Sequence, residues 1–120
     1  MKYLYILTLL FLYGVGYAQS VEDPRICNDV KRDSRNRILR DQNVLRDFQK
    51  LYPCPSTGRS YGSCPDFSID HVIPLACGGC DSIINLQWLP NVIKSCNKDY
   101  CKDRFERRIY KNKFNHTYCN

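Results

Sequence analysis

Several residue types are scarce in this chain, and each shortage narrows what it can be. Of 120 residues only two are histidine, one is tryptophan (Trp88) and one is methionine, the initiator. Candidates for a general base near neutral pH therefore reduce to His71 and His116. There is no internal repeat, which excludes solenoid and propeller arrays. There is no low-complexity tract past the first residues, which excludes a disordered linker-type chain. Only one long apolar run exists, Tyr3 to Val15, and at this length it is short for a membrane span. No motif of a base-reading nucleic-acid module is present.

That apolar run begins the inventory of what is there. Lys2 supplies a basic start, and Gly16-Tyr17-Ala18 offers small residues where a signal peptidase cuts. Residues 1–18 read as a secretory signal peptide and 19–120 as the secreted domain, with no stable membrane association after cleavage. The alternative is a membrane anchor, but no strong cationic stop follows the run. Removing Lys2 with the leader leaves 17 cationic against 12 anionic side chains, a net charge of +5. One domain with a modest core, expected to be monomeric, is what such a length supports.

All eight cysteines lie in the secreted part: Cys27, Cys54, Cys64, Cys77, Cys80, Cys96, Cys101 and Cys119. Cys77-x-x-Cys80 followed by Cys96-x4-Cys101 has a spacing that could hold zinc. Behind a leader peptide the compartment is oxidising, so disulfides are the expectation. Cys54 with Cys64 is the favoured pair, because Pro53, Pro55, Gly58, Gly62 and Pro65 make the intervening segment a compact loop.

Apolar spacing over Ser34–Leu51 predicts a helix, with Asp33 or Ser34 as its cap and Pro53 beyond its end. Phe67–Ile73 is strand-like and closed by Pro74. Gly78-Gly79 marks a loop, and Asn85–Leu89 is a second short strand. Pro90 opens a helix from Asn91 to about Cys96. A last helix over Lys102–Lys113 has Phe105 and Ile109 on one face. The sequence predicts an α+β domain, small and disulfide-rich, in which a two-stranded hairpin is supported by flanking helices and cross-links.

The chemistry concentrates in Phe67-Ser-Ile-Asp-His-Val-Ile-Pro-Leu75 and Asp81-Ser-Ile-Ile-Asn-Leu-Gln-Trp88. His71 stands next to the carboxylate of Asp70, and Asn85 follows fourteen residues later. A base, a hard oxygen ligand and an orienting amide within about 20 residues is what phosphodiester hydrolysis with one divalent metal uses. Six cations between Lys102 and Lys113 face only Asp103 and Glu106. That excess suits a polyanion such as nucleic acid, against the plainer alternative of a solvated helix face.

These motifs resemble the HNH endonuclease family, most closely a group of small secreted HNH nucleases. The resemblance rests on Cys54-Pro-Ser-Thr-Gly58, Gly62-Ser-Cys-Pro65, Asp70-His-Val-Ile-Pro-Leu75, Gly78-Gly79, Asn85-Leu-Gln-Trp88 and Lys102-Asp-Arg-Phe-Glu106, in that order. It covers about residues 43–108. It implies a ββα-metal core and one divalent ion (Mg²⁺, Mn²⁺ or Zn²⁺). It implies His71 as general base, Asp70 as metal ligand and Asn85 as the residue that holds the His71 segment. The family's helix ligand, nine residues after the middle Asn, falls on Lys94. Asn91, Asn97 and Asp103 are the candidates to replace it. Arg59, Lys94, Lys102, Arg104, Arg107 and Arg108 are expected to meet the phosphates of DNA, possibly RNA, with little sequence preference.

Two rival functions use the same features. One is a degenerate nuclease that binds nucleic acid without cutting it. The other is a cysteine-rich toxin or effector acting on a protein. His116 is expected at the surface, Trp88 in the core rather than as a stacking platform, and Asp81 as a loop cap. Asn115-His116-Thr117 is a glycosylation acceptor only in a eukaryotic source.

Overall fold

The computed structural model describes residues 22–27, 29–95, 101–102, 105–106 and 109. The leader, Cys96, Asn97, Asp103, Arg104, Arg107, Arg108, Asn115, His116 and Cys119 lie outside the described residues. The fold is a small α+β domain built on one two-stranded antiparallel sheet, with helices and disulfides around it.

Helix α1 spans Gln42–Leu51. It starts later than the apolar spacing predicts. Asp33 caps a tight turn instead: its Oδ1 accepts the backbone N–H of Arg35 (2.8 Å) and Arg37 (2.9 Å). Asn36 takes a left-handed backbone conformation (φ 62°), and Arg32 then bridges Ile38 across the turn. An Asp side chain bonding the backbone two residues on competes directly with helix initiation. Asp41 is the actual cap, accepting from Asn43 N at 2.8 Å. Phe48 and Gln49 are the buried residues of α1. The Gln49 amide donates to Arg59 O and Gly62 O, which fixes the loop closed by Cys54–Cys64.

Strand β1 (Phe67–His71) pairs with β2 (Leu86–Pro90). Asp70 lies opposite Gln87, and His71 opposite Leu86. β1 stops two residues before the predicted end because Val72 and Ile73 turn to bond Asn85: Val72 N–H donates to Asn85 O (2.7 Å) and Ile73 N–H to Asn85 Oδ1 (2.9 Å). Phe48 packs on Tyr52 and Trp88, with ring centroids 5.1 and 5.9 Å away. Trp88 is half-buried, and its Nε1 donates to Tyr52 O.

Helix α2 is the single turn Asn91–Lys94, shorter than the run to Cys96 that the spacing predicts. Val92 and Ile93 are exposed, so there is little apolar burial to extend it. Lys102, Phe105, Glu106 and Ile109 are helical, and Ile109, expected on the packed face, is exposed.

Among the described residues, the loop segment 73–80 is the longest buried run. Ile73, Cys77 and Asn85 are fully buried, and Ile26 packs against the first two. The arm before α1 is tied to this loop by Cys27–Cys80 and by the bonds Cys27 N–H to Gly78 O and Cys80 N–H to Arg25 O. Cys77 and Cys101 are also half-cystines. No described helix is long and apolar enough to cross a membrane.

Candidate functional site

Asn85 organises the base of the loop. Its Nδ2 donates to Ile73 O and Cys80 O, both at 2.9 Å, while its Oδ1 accepts from Ile73 N. An amide is the one uncharged side chain offering an acceptor and two donors in this geometry. Gly79 is obligatory beside it, since a Cβ there would stand 2.1 Å from Ile73 O and 2.8 Å from the Asn85 amide nitrogen. The contacts of Asn85 are therefore with the loop that follows His71, not with the imidazole.

His71 ends β1. Regular alternation would send it and Asp70 to opposite faces; with the strand ending there, both line one cavity of about 380 Å³. Its walls also include Ile38, Arg40, Leu75, Lys94 and Glu106. His71 Nε2 is 2.9 Å from Asp81 Oδ1. An ionised carboxylate only accepts, so Nε2 carries the hydrogen, and in the neutral imidazole the lone pair is then on Nδ1. The second oxygen of Asp81 accepts the Asp41 backbone N–H at 2.6 Å. Asp81 thus joins the imidazole to the start of α1. Sequence reasoning assigned Asp81 only to the loop; its position just past Gly-Gly-Cys was the available signal.

Asp70 is buried and its carboxylate is fully engaged. Oδ2 accepts from Lys102 Nζ (2.7 Å) and Gln87 Nε2 (3.1 Å); Oδ1 accepts from Lys94 Nζ (3.3 Å). Burial alone would raise its pKa. The Lys102 and Gln87 hydrogen bonds and the charges of Lys102 and Lys94 outweigh that and hold it below the ordinary carboxylate value. Lys102 also donates to His71 O (2.9 Å) and pairs with Glu106. Burial alone would lower the Lys102 pKa, but the bonds to Asp70 and Glu106 and their charges raise it. An ammonium has three donors, and those of Lys102 are matched by three acceptors.

The two lysines therefore differ in what they leave over. Lys102 is saturated and knits Asp70, His71 and Glu106 together. Lys94 has one acceptor among the described residues, and its side chain keeps more than a quarter of its surface exposed. Asn91 Oδ1 accepts from Ser68 Oγ at 2.6 Å, and Asn91 N–H donates to Asp66 O. One turn later Lys94, not Asn91, is the residue that reaches Asp70. Arg59 sits on the exposed Cys54–Cys64 loop and is not among the residues lining the cavity. Asn97, Asp103, Arg104, Arg107 and Arg108 are outside the described residues.

The family resemblance implies a divalent ion on Asp70, and the donor set can be tested for it. As arranged, the described residues do not fit one. Both Asp70 oxygens carry an ammonium. At about 4 Å and an effective dielectric of about 20, unit charges interact by about 4 kcal/mol, and a divalent ion against an ammonium by about twice that. Lys94 is exposed enough to swing aside, whereas Lys102 would forfeit its other acceptors.

No family model, curated protein or solved structure matches this chain.

Proposed function

We infer that the protein is a secreted nuclease of HNH type that cleaves phosphodiester bonds in nucleic acid, with His71 as general base. The observation that carries this reading is His71, held by Asp81 behind it, on the wall of a cavity shared with Lys94 and Arg40. The pair fixes an imidazole with Nδ1 available as a proton acceptor, and the cations suit a phosphate. The order β1, β2, α2, with Asp70 and His71 on the first strand and Lys94 on the helix, supports a ββα core. The disulfides fit an oxidising compartment and so support secretion.

The test is degradation of plasmid DNA and of RNA by the purified, oxidised protein, with Mg²⁺, Mn²⁺ or Zn²⁺ and with EDTA. Cutting that is lost in His71→Ala supports the reading. Equal cutting by that variant removes His71 from the reaction. Salt-sensitive binding without cutting under every condition would favour the degenerate binding protein.

A further inference from the structure

We propose that Lys94 supplies the positive charge that the family draws from a divalent ion, and that the substrate is RNA, cleaved without metal by its own 2′-hydroxyl. The proposal rests on the phosphodiesterase reading above and deepens it.

Asp70 and Glu106 carry two negative charges, and Lys94 and Lys102 answer them with two positive ones. Lys102 is spent on three protein acceptors. Lys94 sits on the cavity wall, and the only hydrogen bond of its ammonium among the described residues is a long one to Asp70. Arg40 adds a guanidinium to the same wall. A phosphate entering this cavity meets two cations with donor capacity and an imidazole whose acceptor nitrogen is fixed by Asp81.

A base without a metal is poorly placed to activate water against a phosphodiester, because nothing lowers the pKa of that water. RNA removes the need. Its 2′-oxygen is already beside the phosphorus, and well-placed internal nucleophiles reach effective molarities of about 10⁵–10⁸ M. The 2′-hydroxyl gives its proton to His71 Nδ1, and its oxygen forms a bond to phosphorus. The phosphorus–O5′ bond breaks, and the 5′-oxygen takes a proton from solvent water while the Lys94 ammonium neutralises the charge it develops. His71 returns its proton to solvent. The products are a 2′,3′-cyclic phosphate and a 5′-hydroxyl, with no change of oxidation state.

The experiment gives the oxidised protein end-labelled single-stranded RNA, the same sequence fully 2′-O-methylated, and the same sequence as DNA, each in EDTA and in Mg²⁺. The expected result is cutting of RNA alone, equal in EDTA and Mg²⁺, with cyclic-phosphate ends. Lys94→Met should slow this by about 100-fold, the loss typical of one removed charge-stabilising donor, and Lys94→Arg should restore most of it. Cutting that requires Mg²⁺, or cutting of DNA or methylated RNA to 5′-phosphate ends, overturns this proposal and leaves the broader nuclease reading standing. Wild-type rates in Lys94→Met overturn the part given to Lys94. No cutting of any polymer, with or without metal, overturns both.

Discussion

Asp81 grips His71 and the first residue of the α1 cap with one carboxylate, Oδ1 on the imidazole Nε2 and Oδ2 on the Asp41 backbone N–H. The pair couples ring orientation to the placement of a helix forty residues away in sequence. An amide at position 81 cannot accept at both ends, so Asp81→Asn either loses the helix contact or presents a donor to Nε2. In the second case the ring must switch tautomer and Nδ1 becomes protonated. Cleavage by Asp81→Asn should fall by about 100-fold or more, in line with the loss of a positioned base, with nucleic-acid affinity retained. Single-turnover rates and a binding titration separate the two; equal loss of both would show that Asp81 only shapes the site.

Lys102 makes stability depend on pH at both ends of the scale. Asp70 has its pKa lowered below 3.8, so the unfolded chain takes up that proton at higher pH than the folded one. Its contribution is fully present above pH 3.8 and is lost as pH falls through the lower folded value. Lys102 has its pKa raised above 10.5, so its contribution is present below 10.5 and is lost as pH rises through the higher folded value. Denaturant midpoints should be flat between those limits as far as these two groups are concerned. Lys102→Met leaves buried acceptors unpaired and should cost about 3–5 kcal/mol near neutrality. It should also make the acid limb shallower. An unchanged acid limb would mean that Asp70 does not depend on Lys102.

What was legible in the sequence was local. The hairpin, its approximate ends and the Cys54–Cys64 bridge follow from alternation, Pro/Gly punctuation and short loops, all within a few residues of each other. Asp70 and Asn85 stood out because of their neighbours. The helix start is displaced because Asp33 reads equally well as a cap or as a turn residue, and the structure uses it in the turn that Asn36 completes. Asp81 and Lys102 were undervalued for a different reason. Each acts by reaching across the fold, Lys102 to a carbonyl 31 residues away, and no periodicity encodes that distance.

Asn85 provides the cleanest measure of what the loop contributes. Asn85→Ala would strand Ile73 N, Ile73 O and Cys80 O, which it now satisfies in a fully buried setting. Each unsatisfied group costs about 1–3 kcal/mol, and some relaxation is available, so a loss of about 3–5 kcal/mol is expected. Asn85→Asp keeps the acceptor but loses both donors and places a charge where burial is complete. It should be at least as damaging at neutral pH. Thermal unfolding of the two variants checks the order; a loss below about 1 kcal/mol for Asn85→Ala would show that water replaces the amide.

The two described disulfides should separate stability from activity. Cys27–Cys80 spans 53 residues and Cys54–Cys64 spans 10. Chain-entropy reasoning gives about 4 kcal/mol for the first and about 3 for the second. Their neighbourhoods differ more than their energies. Cys80 adjoins Asp81, and its carbonyl is held by Asn85, so loss of Cys27–Cys80 loosens the partner of His71. Cys54–Cys64 closes a loop whose cysteines do not line the cavity. Replacing Cys27 and Cys80 by Ser should therefore lower cleavage even where the protein remains folded, whereas replacing Cys54 and Cys64 should shift the unfolding midpoint and leave the rate of the folded protein nearly unchanged. Rates measured well below each variant's unfolding midpoint decide this, and the opposite pattern would place the reaction at the Cys54–Cys64 loop rather than beside His71.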